Sequence, residues 1–274
     1  MSWKTFLETA PAADHAVQIY ERFDDLVGSV GRFFDAGFEA GEPAIVIATD
    51  EHSRAFRRDL EARGWDPAEL QRKGLLTFRD ADATLAAFLE GAVPSADRFE
   101  RVVGAAIDEI TCRHPGKTIR AFGEMVDLLW ARGEPDAAIT LEELWNGLAE
   151  TRKFALLCGY QLDIFDMGVQ QRALPRIFGA HTHPRPAADV PRLGAALDRA
   201  LAETVGPVRT GQIYLQVAEQ VPRSSLPRAA AVLMWLSEQS TPTAAEILDR
   251  VRMHYRWSGP SAGSLREVAA STAG

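Results

Sequence analysis

The stretch His15-Ala-Val-Gln-Ile-Tyr20, followed by Glu21-Arg22-Phe23-Asp24-Asp25, decides the fold of this chain. The first six residues form a short apolar run that predicts a buried strand, and residues 25–40 have the pattern of a following helix. At such a junction, nucleotide-binding α/β proteins carry a glycine-rich loop and a Lys-Ser/Thr pair, because backbone N–H groups and a cation hold the phosphate. This junction contains no glycine, no lysine and three carboxylates. It argues against a phosphate site and favours sensing over nucleotide hydrolysis.

The same alternation of apolar runs and amphipathic segments continues to about residue 160. Strands are predicted at 15–20, 44–49, 75–79, 118–122 and 154–160. Helices are predicted at 25–40, 52–63, 83–91, 96–113, 124–131 and 136–150. The strands are apolar on both faces, which is typical of a parallel sheet covered by helices on both sides. The fold class predicted from this order is therefore α/β, with a mostly parallel sheet.

The pattern after residue 160 changes to helices only. One helix is predicted at 167–180, a break at His181–Pro186, and four helices at 191–205, 208–220, 225–239 and 243–255. Thr243 and Glu246 have the spacing of a capping box at the start of the last helix. The predicted organisation is an N-terminal extension (1–14), an α/β domain (15–186), a C-terminal all-helical domain (187–257) and a flexible tail (258–274).

Composition narrows the class of protein. The chain has 274 residues, a net charge of −8 and 46% hydrophobic residues, which is ordinary for a globular protein with a substantial core. An acidic chain does not favour general nucleic-acid binding, which needs a basic surface. Two cysteines, Cys112 and Cys158, make no disulfide framework. The sequence shows neither a long apolar run nor a signal-peptide pattern, so we expect a cytoplasmic protein without a membrane span.

Several segments, in order, resemble the MEDS family, the sensory domain of methanogens, methylotrophs and the DcmR regulator. They are His15–Tyr20, Gly37–Thr49, Arg120–Gly133, Leu141–Asn146, Leu156–Tyr160 and the His181-Thr-His183 pair. The resemblance implies a RecA/KaiC-like fold without a working phosphate loop and a role in bacterial signalling or transcription control. It also implies that Thr49-Asp50-Glu51, where KaiC-type ATPases hold catalytic carboxylates, is a relic or a helix N-cap.

Candidate ligand-binding residues follow from the rule that open α/β sheets bind ligands outside the carboxyl ends of their strands. Tyr20, Arg22, Glu124 and Tyr160 fall at these ends, and Glu124 is the best candidate because it follows a strand and Gly123. His15 is a further candidate, although it begins the strand that Tyr20 ends, about 17 Å away at the rise of a strand. Each has a structural alternative, namely capping, an ion pair or packing.

We expect no metal, no cofactor and no enzymatic activity from the sequence. The residues that would ligate a metal are Cys158, His181 and His183, since a His-x-His pair with a cysteine suits zinc. Cys158 lies in an apolar run, however, and such a cysteine usually packs in the core. No nucleophile elbow or catalytic triad is readable.

The function predicted from these observations is that of a sensor that binds a small organic ligand at the strand ends and signals through its helical tail. One alternative is an adaptor that acts on a histidine kinase or transcription regulator without a ligand. Another is a nucleic-acid-binding regulator, which predicts a basic face from Arg250, Arg252 and Arg256. The apolar stripe within residues 225–255 suits either internal packing or a homodimer or signalling partner.

Overall fold

The computed structural model describes residues 2–220, 226–239 and 241–256. Within them the chain forms two compact units. The first consists of the described residues up to Ile164 together with Arg172–Ala188, and the second consists of Phe165–Gln171 and nearly all described residues from Asp189 onward. The predicted flexible tail, 258–274, lies outside the described residues.

The first unit contains a six-stranded sheet in which every neighbouring pair is parallel. Its strands are β1 (His15–Tyr20), β2 (Ala44–Ala48), β3 (Leu76–Asp80), β6 (Ile119–Gly123), β7 (Phe154–Gln161) and β8 (His183–Arg185). A separate hairpin is formed by β4 (Leu89–Glu90) and β5 (Val93–Pro94). The order across the sheet is β3-β2-β6-β7-β1-β8. The five predicted strands and the α/β class are confirmed.

Helices cover this sheet and connect its strands. They are α1 (Trp3–Thr9), α2 (Phe23–Glu39), α3 (Asp50–Ala62), α4 (Pro67–Arg72), α5 (Ala81–Phe88), α6 (Ala96–Phe99), α7 (Ala105–Arg113), α8 (Met125–Ala131), α9 (Pro135–Ala149) and α10 (Leu174–Gly179). A π-helical turn, Glu100–Gly104, joins α6 to α7. Helix α1 lies in the segment set apart as an extension, yet its Phe6 and Leu7 are buried in the core.

The junction between β1 and α2 is shorter than any phosphate loop. Tyr20 ends the strand and Phe23 begins the helix, so only Glu21 and Arg22 lie between them. Asp24 and Asp25 occupy the first turn of α2, where carboxylates stabilise the positive end of the helix dipole. The junction therefore contains no phosphate loop, and its carboxylates stabilise the start of α2.

Four local predictions are corrected by the structure. The break at His181–Pro186 contains β8, which adds a strand beside β1. The predicted helix at 83–91 ends at Phe88, because Gly91, with φ +66°, turns the chain into the hairpin. The predicted helix at 167–180 is a π-helical turn followed by α10, since Pro175 fits only the first turn of a helix. Helix α4 was missed, although the Asp66 carboxylate caps it by accepting from the N–H groups of Ala68 and Glu69.

The second unit is helical. It contains α11 (Val190–Gln220), which is broken at Gly206 (φ +76°, ψ +167°) just before Pro207, together with α12 (Arg228–Gln239) and α13 (Pro242–Arg256). The hydroxyl of Thr241 accepts from the N–H of Ala244, so the N-cap of α13 is Thr241 and the predicted capping box at Thr243 is wrong. No helix among the described residues is both long and apolar enough to cross a membrane.

The apolar stripe of residues 225–255 is used within the helical unit. Val232, Leu233 and Leu236 on α12 are buried, as are Ile247 and Leu248 on α13. Most of the stripe therefore packs among the helices of its own unit. A partner that used this segment would contact its outward face, where Met253 is 53% exposed.

Candidate functional site

A group of polar side chains meets at the carboxyl edge of the sheet, and Glu124 lies at its centre. Glu124 follows β6 and is 2% exposed. Its carboxylate accepts from the backbone N–H of Thr49 (2.5 Å) and from Nδ1 of His52 (2.5 Å), both of which follow β2. The side chain makes no N-cap bond to α8, and among the described residues it pairs with no arginine. Its partners therefore come from the neighbouring strand end.

Tyr20 and Asp127 form the second half of this group. The hydroxyl of Tyr20, at the end of β1, donates to Asp127 Oδ2 (3.3 Å), and the backbone N–H of Gln161, at the end of β7, donates to Asp127 Oδ1 (3.0 Å). Burial and the nearby Asp127 carboxylate raise the pKa of Tyr20 above its ordinary value, so the phenol stays protonated and acts as the donor. Asp127 thus links β1 and β7, while Glu124 links β6 and β2.

Phe23 covers one side of the group. Its ring stacks on His52 with centroids 3.7 Å apart and an interplanar angle of 16°. Phe23 and His52 are both half-buried, whereas Glu124 and Tyr20 beneath them are almost inaccessible. We call Tyr20, Phe23, His52, Glu124 and Asp127 the carboxyl-edge group. It offers an aromatic rim, two buried or half-buried carboxylates and a phenol, which suits a small ligand with hydrogen-bond donors.

The loops around this group are acidic. Carboxylates end or follow each of the first five main strands: Glu21, Asp24 and Asp25; Asp50 and Glu51; Asp80 and Asp82; Glu124 and Asp127; Asp163. Because the strands are parallel, these carboxylates share one edge of the sheet. Such a field disfavours an anionic ligand and favours a neutral or cationic one.

The pKa of Asp127 is shifted from its ordinary value. Burial is the main cause that raises its pKa to about 6, aided by the charge of Glu124 and opposed by hydrogen bonds from Gln161 and Tyr20. Strongly perturbed carboxyls in partly enclosed positions are frequent at functional sites.

The pH dependence of stability should reveal this shift. The folded pKa of Asp127 lies above its unfolded value, so its contribution is fully present below about pH 4 and is lost as the pH rises through 6. In urea unfolding, the wild-type free energy should fall between pH 4 and pH 7 by up to about 3 kcal/mol more than that of Asp127→Asn, at 1.36 kcal/mol per pKa unit. Parallel curves for the two proteins would show that Asp127 has an ordinary pKa.

The structure brings together only some of the predicted site residues. Glu124 and Tyr20 join the carboxyl-edge group. Arg22 does not, because its side chain is 75% exposed and contacts Asp24. Gly123 is not needed for close approach, since an added Cβ would lie at an ordinary 3.7 Å from Trp145.

Tyr160 and His15 project from the opposite face of the sheet, into a second polar cluster. Tyr160 donates its hydroxyl to Glu142 (2.7 Å), and Nε2 of His15 lies 3.3 Å from Glu142 as well. Alternation along a strand explains the separation, because Tyr160 and Tyr20 end neighbouring strands on opposite faces. Cys158 and His181 belong to this cluster, whereas His183 faces Asp14 (2.7 Å) and the ring of Phe6.

Sequence reasoning missed His52, Asp127, Phe23 and Glu142. For Asp127 and Glu142, the spacing from other residues along a helix could have indicated their position. Asp127 lies three residues after Glu124, which places both at the same helix start, and Glu142 lies four residues after the buried Ala138 and three before the buried Trp145. Glutamate is rarely buried without a partner, so the helical pattern alone suggested an exposed position.

A profile described as MEDS, MEthanogen/methylotroph, DcmR Sensory domain, matches residues 14–176. The chain belongs to the MEDS family. The match covers the parallel sheet up to β7 and all of the carboxyl-edge group. MEDS domains are sensory domains, which is consistent with a sensory or regulatory role for this MEDS chain.

Curated relatives share only a short segment with the MEDS chain. UPF0273 protein MK0039 of Methanopyrus kandleri is 32% identical over 72 residues, which are 26% of each chain. UPF0273 protein PAE3143 of Pyrobaculum aerophilum is 29% identical over 79 residues, 29% of this chain and 26% of the relative. The chain thus spans about a quarter of the length of the relatives it matches, and these similarities carry no activity or partner.

Proposed function

We propose that this protein is a non-enzymatic sensor that binds a small organic ligand at the carboxyl-edge group. The observation that carries the proposal is the buried Glu124 carboxylate, whose two donors, the Thr49 N–H and His52, come from one neighbouring loop. A ligand with a hydroxyl or amino group can take the place of His52 as a donor to Glu124. The acidic loops around the group favour a neutral or cationic molecule. A cytoplasmic location is part of this proposal.

The signal would leave the site through the end of β7 and reach the helical tail. Asp127 holds the Gln161 N–H, and the chain runs from Gln161 into Phe165–Gln171, which belongs to the helical unit. A ligand that binds Asp127 or Tyr20 differently in two states would shift the equilibrium between them, because only differential affinity moves such an equilibrium. The output is then a change in the C-terminal helices that a bacterial signalling or transcription component reads.

The two alternatives have less support. In an adaptor that binds no ligand, we would expect apolar side chains to fill the space at the strand ends. The carboxyl-edge group is polar instead. A nucleic-acid regulator needs a basic face, but Arg250 contacts Glu246 and Glu203, and the guanidinium groups of Arg252 and Arg256 lie over Phe165. Arginines engaged in this way offer little to phosphates.

Native mass spectrometry of the protein purified from its own host tests the sensor. Wild type should carry a small non-covalent mass that is released by mild denaturation, and Glu124→Gln should lower its occupancy at least tenfold. Glu51→Gln changes an exposed carboxylate at the same edge and should keep the adduct. An apo mass with a stoichiometric co-purifying protein would support the adaptor and overturn the ligand.

A further inference from the structure

A second polar cluster, separate from the carboxyl-edge group, lies between the sheet and α9. It consists of His15, Glu142, Cys158 and His181, all of them buried. Each offers one potential ligand atom, and these atoms all lie within 4.8 Å of one another. Neither the sensory role nor the ligand site accounts for this arrangement.

Four different elements bring these side chains together. His15 begins β1, and Cys158 lies on the neighbouring strand β7, where its register partner is Val17. Glu142 projects from α9. His181 precedes β8, and the next residue, Thr182, fixes it by donating its backbone N–H to the carbonyl oxygen of His15 (2.7 Å). Residues from a strand pair, a helix and a loop therefore converge on one point.

Some lone pairs in this cluster face no hydrogen-bond donor. Nδ1 of His181 lies 2.6 Å from the carbonyl oxygen of Ile177, which can only accept, so Nδ1 carries the proton and Nε2 presents a lone pair. Nε2 of His181 has no hydrogen-bond partner, although Glu142 Oε1 lies 3.4 Å away. Two acceptors thus face each other in the interior, which is costly unless a cation lies between them.

A hydrogen bond from Nδ1 also orients the ring of His15. Asn146 donates its amide group to the carbonyl oxygen of Ala180 (3.0 Å), so its Oδ1 accepts from Nδ1 of His15 (2.9 Å). In the neutral imidazole, Nε2 of His15 then presents its lone pair to Cys158 Sγ and Glu142 Oε2, each 3.3 Å away. The side-chain donors that reach this point are the Tyr160 hydroxyl and the Cys158 thiol.

Three of the four ligand groups have the spacing of a tetrahedral metal site, and all four ligand atoms lie within 4.8 Å of one another. Zinc bonds of about 2.0–2.3 Å imply tetrahedron edges of about 3.3–3.8 Å. The observed separations are 3.3 Å from His15 Nε2 to Cys158 Sγ, 3.3 Å from His15 Nε2 to Glu142 Oε2 and 3.7 Å from Cys158 Sγ to Glu142 Oε2. His181 Nε2 lies 3.4 Å from the other carboxylate oxygen, Glu142 Oε1. The hydrogen bonds that the two Nδ1–H groups donate to Asn146 Oδ1 and the Ile177 carbonyl oxygen orient both imidazoles, as such bonds do in metal proteins.

We propose that His15, Glu142, Cys158 and His181 bind one Zn²⁺ ion. Two imidazoles and a thiolate select zinc over Mg²⁺ or Ca²⁺, which prefer oxygen ligands. The thiol proton of Cys158 leaves to solvent on binding, so a thiolate and a carboxylate neutralise the ion and no net charge is buried. Four protein ligands without an open position make the site structural, holding α9 and the His181 loop on the sheet.

Cobalt substitution of the full-length protein tests this proposal, which is independent of the ligand site. Protein treated with a chelator, then titrated with CoCl₂, should bind one Co²⁺ per chain with intense tetrahedral ligand-field bands and a thiolate-to-cobalt charge-transfer band. Cys158→Ser should abolish the charge-transfer band, and His181→Ala should weaken Co²⁺ binding at least a hundredfold. Zn²⁺ should displace the cobalt and raise the Tm of the wild type.

Two matched variants distinguish this site from adventitious binding. Cys112→Ser removes the exposed cysteine, and His183→Ala removes the other histidine of the His-x-His pair. Both should keep the stoichiometry and the charge-transfer band. Wild type that stays metal-free under these conditions, or a band that disappears with Cys112 and persists without Cys158, would overturn the proposal, whatever the folding of the variants.

Discussion

Replacing Arg120 with alanine is expected to lower the free energy of unfolding by about 3–5 kcal/mol, because it breaks an ion pair between the buried Arg120 and the half-buried Glu42 and leaves carbonyl oxygens without their donor. Arg120 lies on β6 and is 1% exposed. Its guanidinium donates to the Glu42 carboxylate (2.7 Å) and to the carbonyl oxygens of Leu7 (2.6 Å) and Phe33 (2.7 Å). Burial lowers its pKa, which Glu42 in part restores, and the group stays charged at neutral pH.

Urea unfolding followed by circular dichroism measures this loss. The alanine variant leaves Glu42 and three carbonyl groups, those of Leu7 and Glu8 in α1 and of Phe33 in α2, without their donor, so both helices should loosen from the sheet. Arg113→Ala is the matched control, because Arg113 forms an exposed pair with Glu109 and should cost less than about 1 kcal/mol. Equal costs for the two variants would refute the structural role of Arg120.

Gly37 provides an independent test of the same contact. A Cβ at Gly37 would lie 2.5 Å from Cδ and 2.7 Å from Nε of Arg120, so Gly37→Ala should destabilise the wild type. In the Arg120→Ala background the collision is absent, and the added methyl should cost much less. A double-mutant cycle measures this coupling, and strict additivity would contradict it.

Replacing Trp145 with alanine is expected to cost a similar amount, about 3–5 kcal/mol, through the cavity that it creates. Trp145 lies on α9, is 1% exposed, and packs edge-on against Phe99 (5.3 Å between centroids) and Phe154 (5.8 Å). It therefore joins α9 to both β7 and α6. Its burial and these two ring contacts show that it packs in the core of the first unit.

Trp130→Ala is the natural comparison. Trp130 is half-buried and meets Tyr160 edge-on at 6.0 Å, so its loss leaves a more open space and should cost about 1–2 kcal/mol less than the loss of Trp145. Thermal unfolding of both variants gives the ranking. A larger effect at Trp130 would mean that the contact between Trp130 and Tyr160 contributes more to the free energy of unfolding than the packing of α9 does.

Two of the segments that resemble the MEDS family contact each other in the structure. Glu42 belongs to the Gly37–Thr49 segment and Arg120 begins the Arg120–Gly133 segment, and the two form one buried pair. Glu124 in the second segment bonds to Thr49 at the end of the first. Thr49 also caps α3 by accepting from the His52 N–H, so the N-cap interpretation holds for this position.

The sequence by itself determined the order of strands and helices, the parallel sheet and the loss of the phosphate loop. Short runs such as Ala44–Ala48 are apolar on both faces, and this pattern depends on local composition alone. It also placed Glu124 and Tyr20 at the carboxyl edge of the sheet, because one follows and the other ends a buried strand. Errors arose where local geometry competes with the pattern, as at Pro175 and Gly91.

Only the tertiary structure decided which polar residues meet. Tyr20 and Tyr160 both belong to strand ends, yet the register of β1 against β7 places them on opposite faces. His15, Glu142, Cys158 and His181 are separated by up to 166 positions in the chain and converge within 4.8 Å. Strand order and helix packing fix such distances through contacts between segments remote in sequence, and a local pattern contains no information about them.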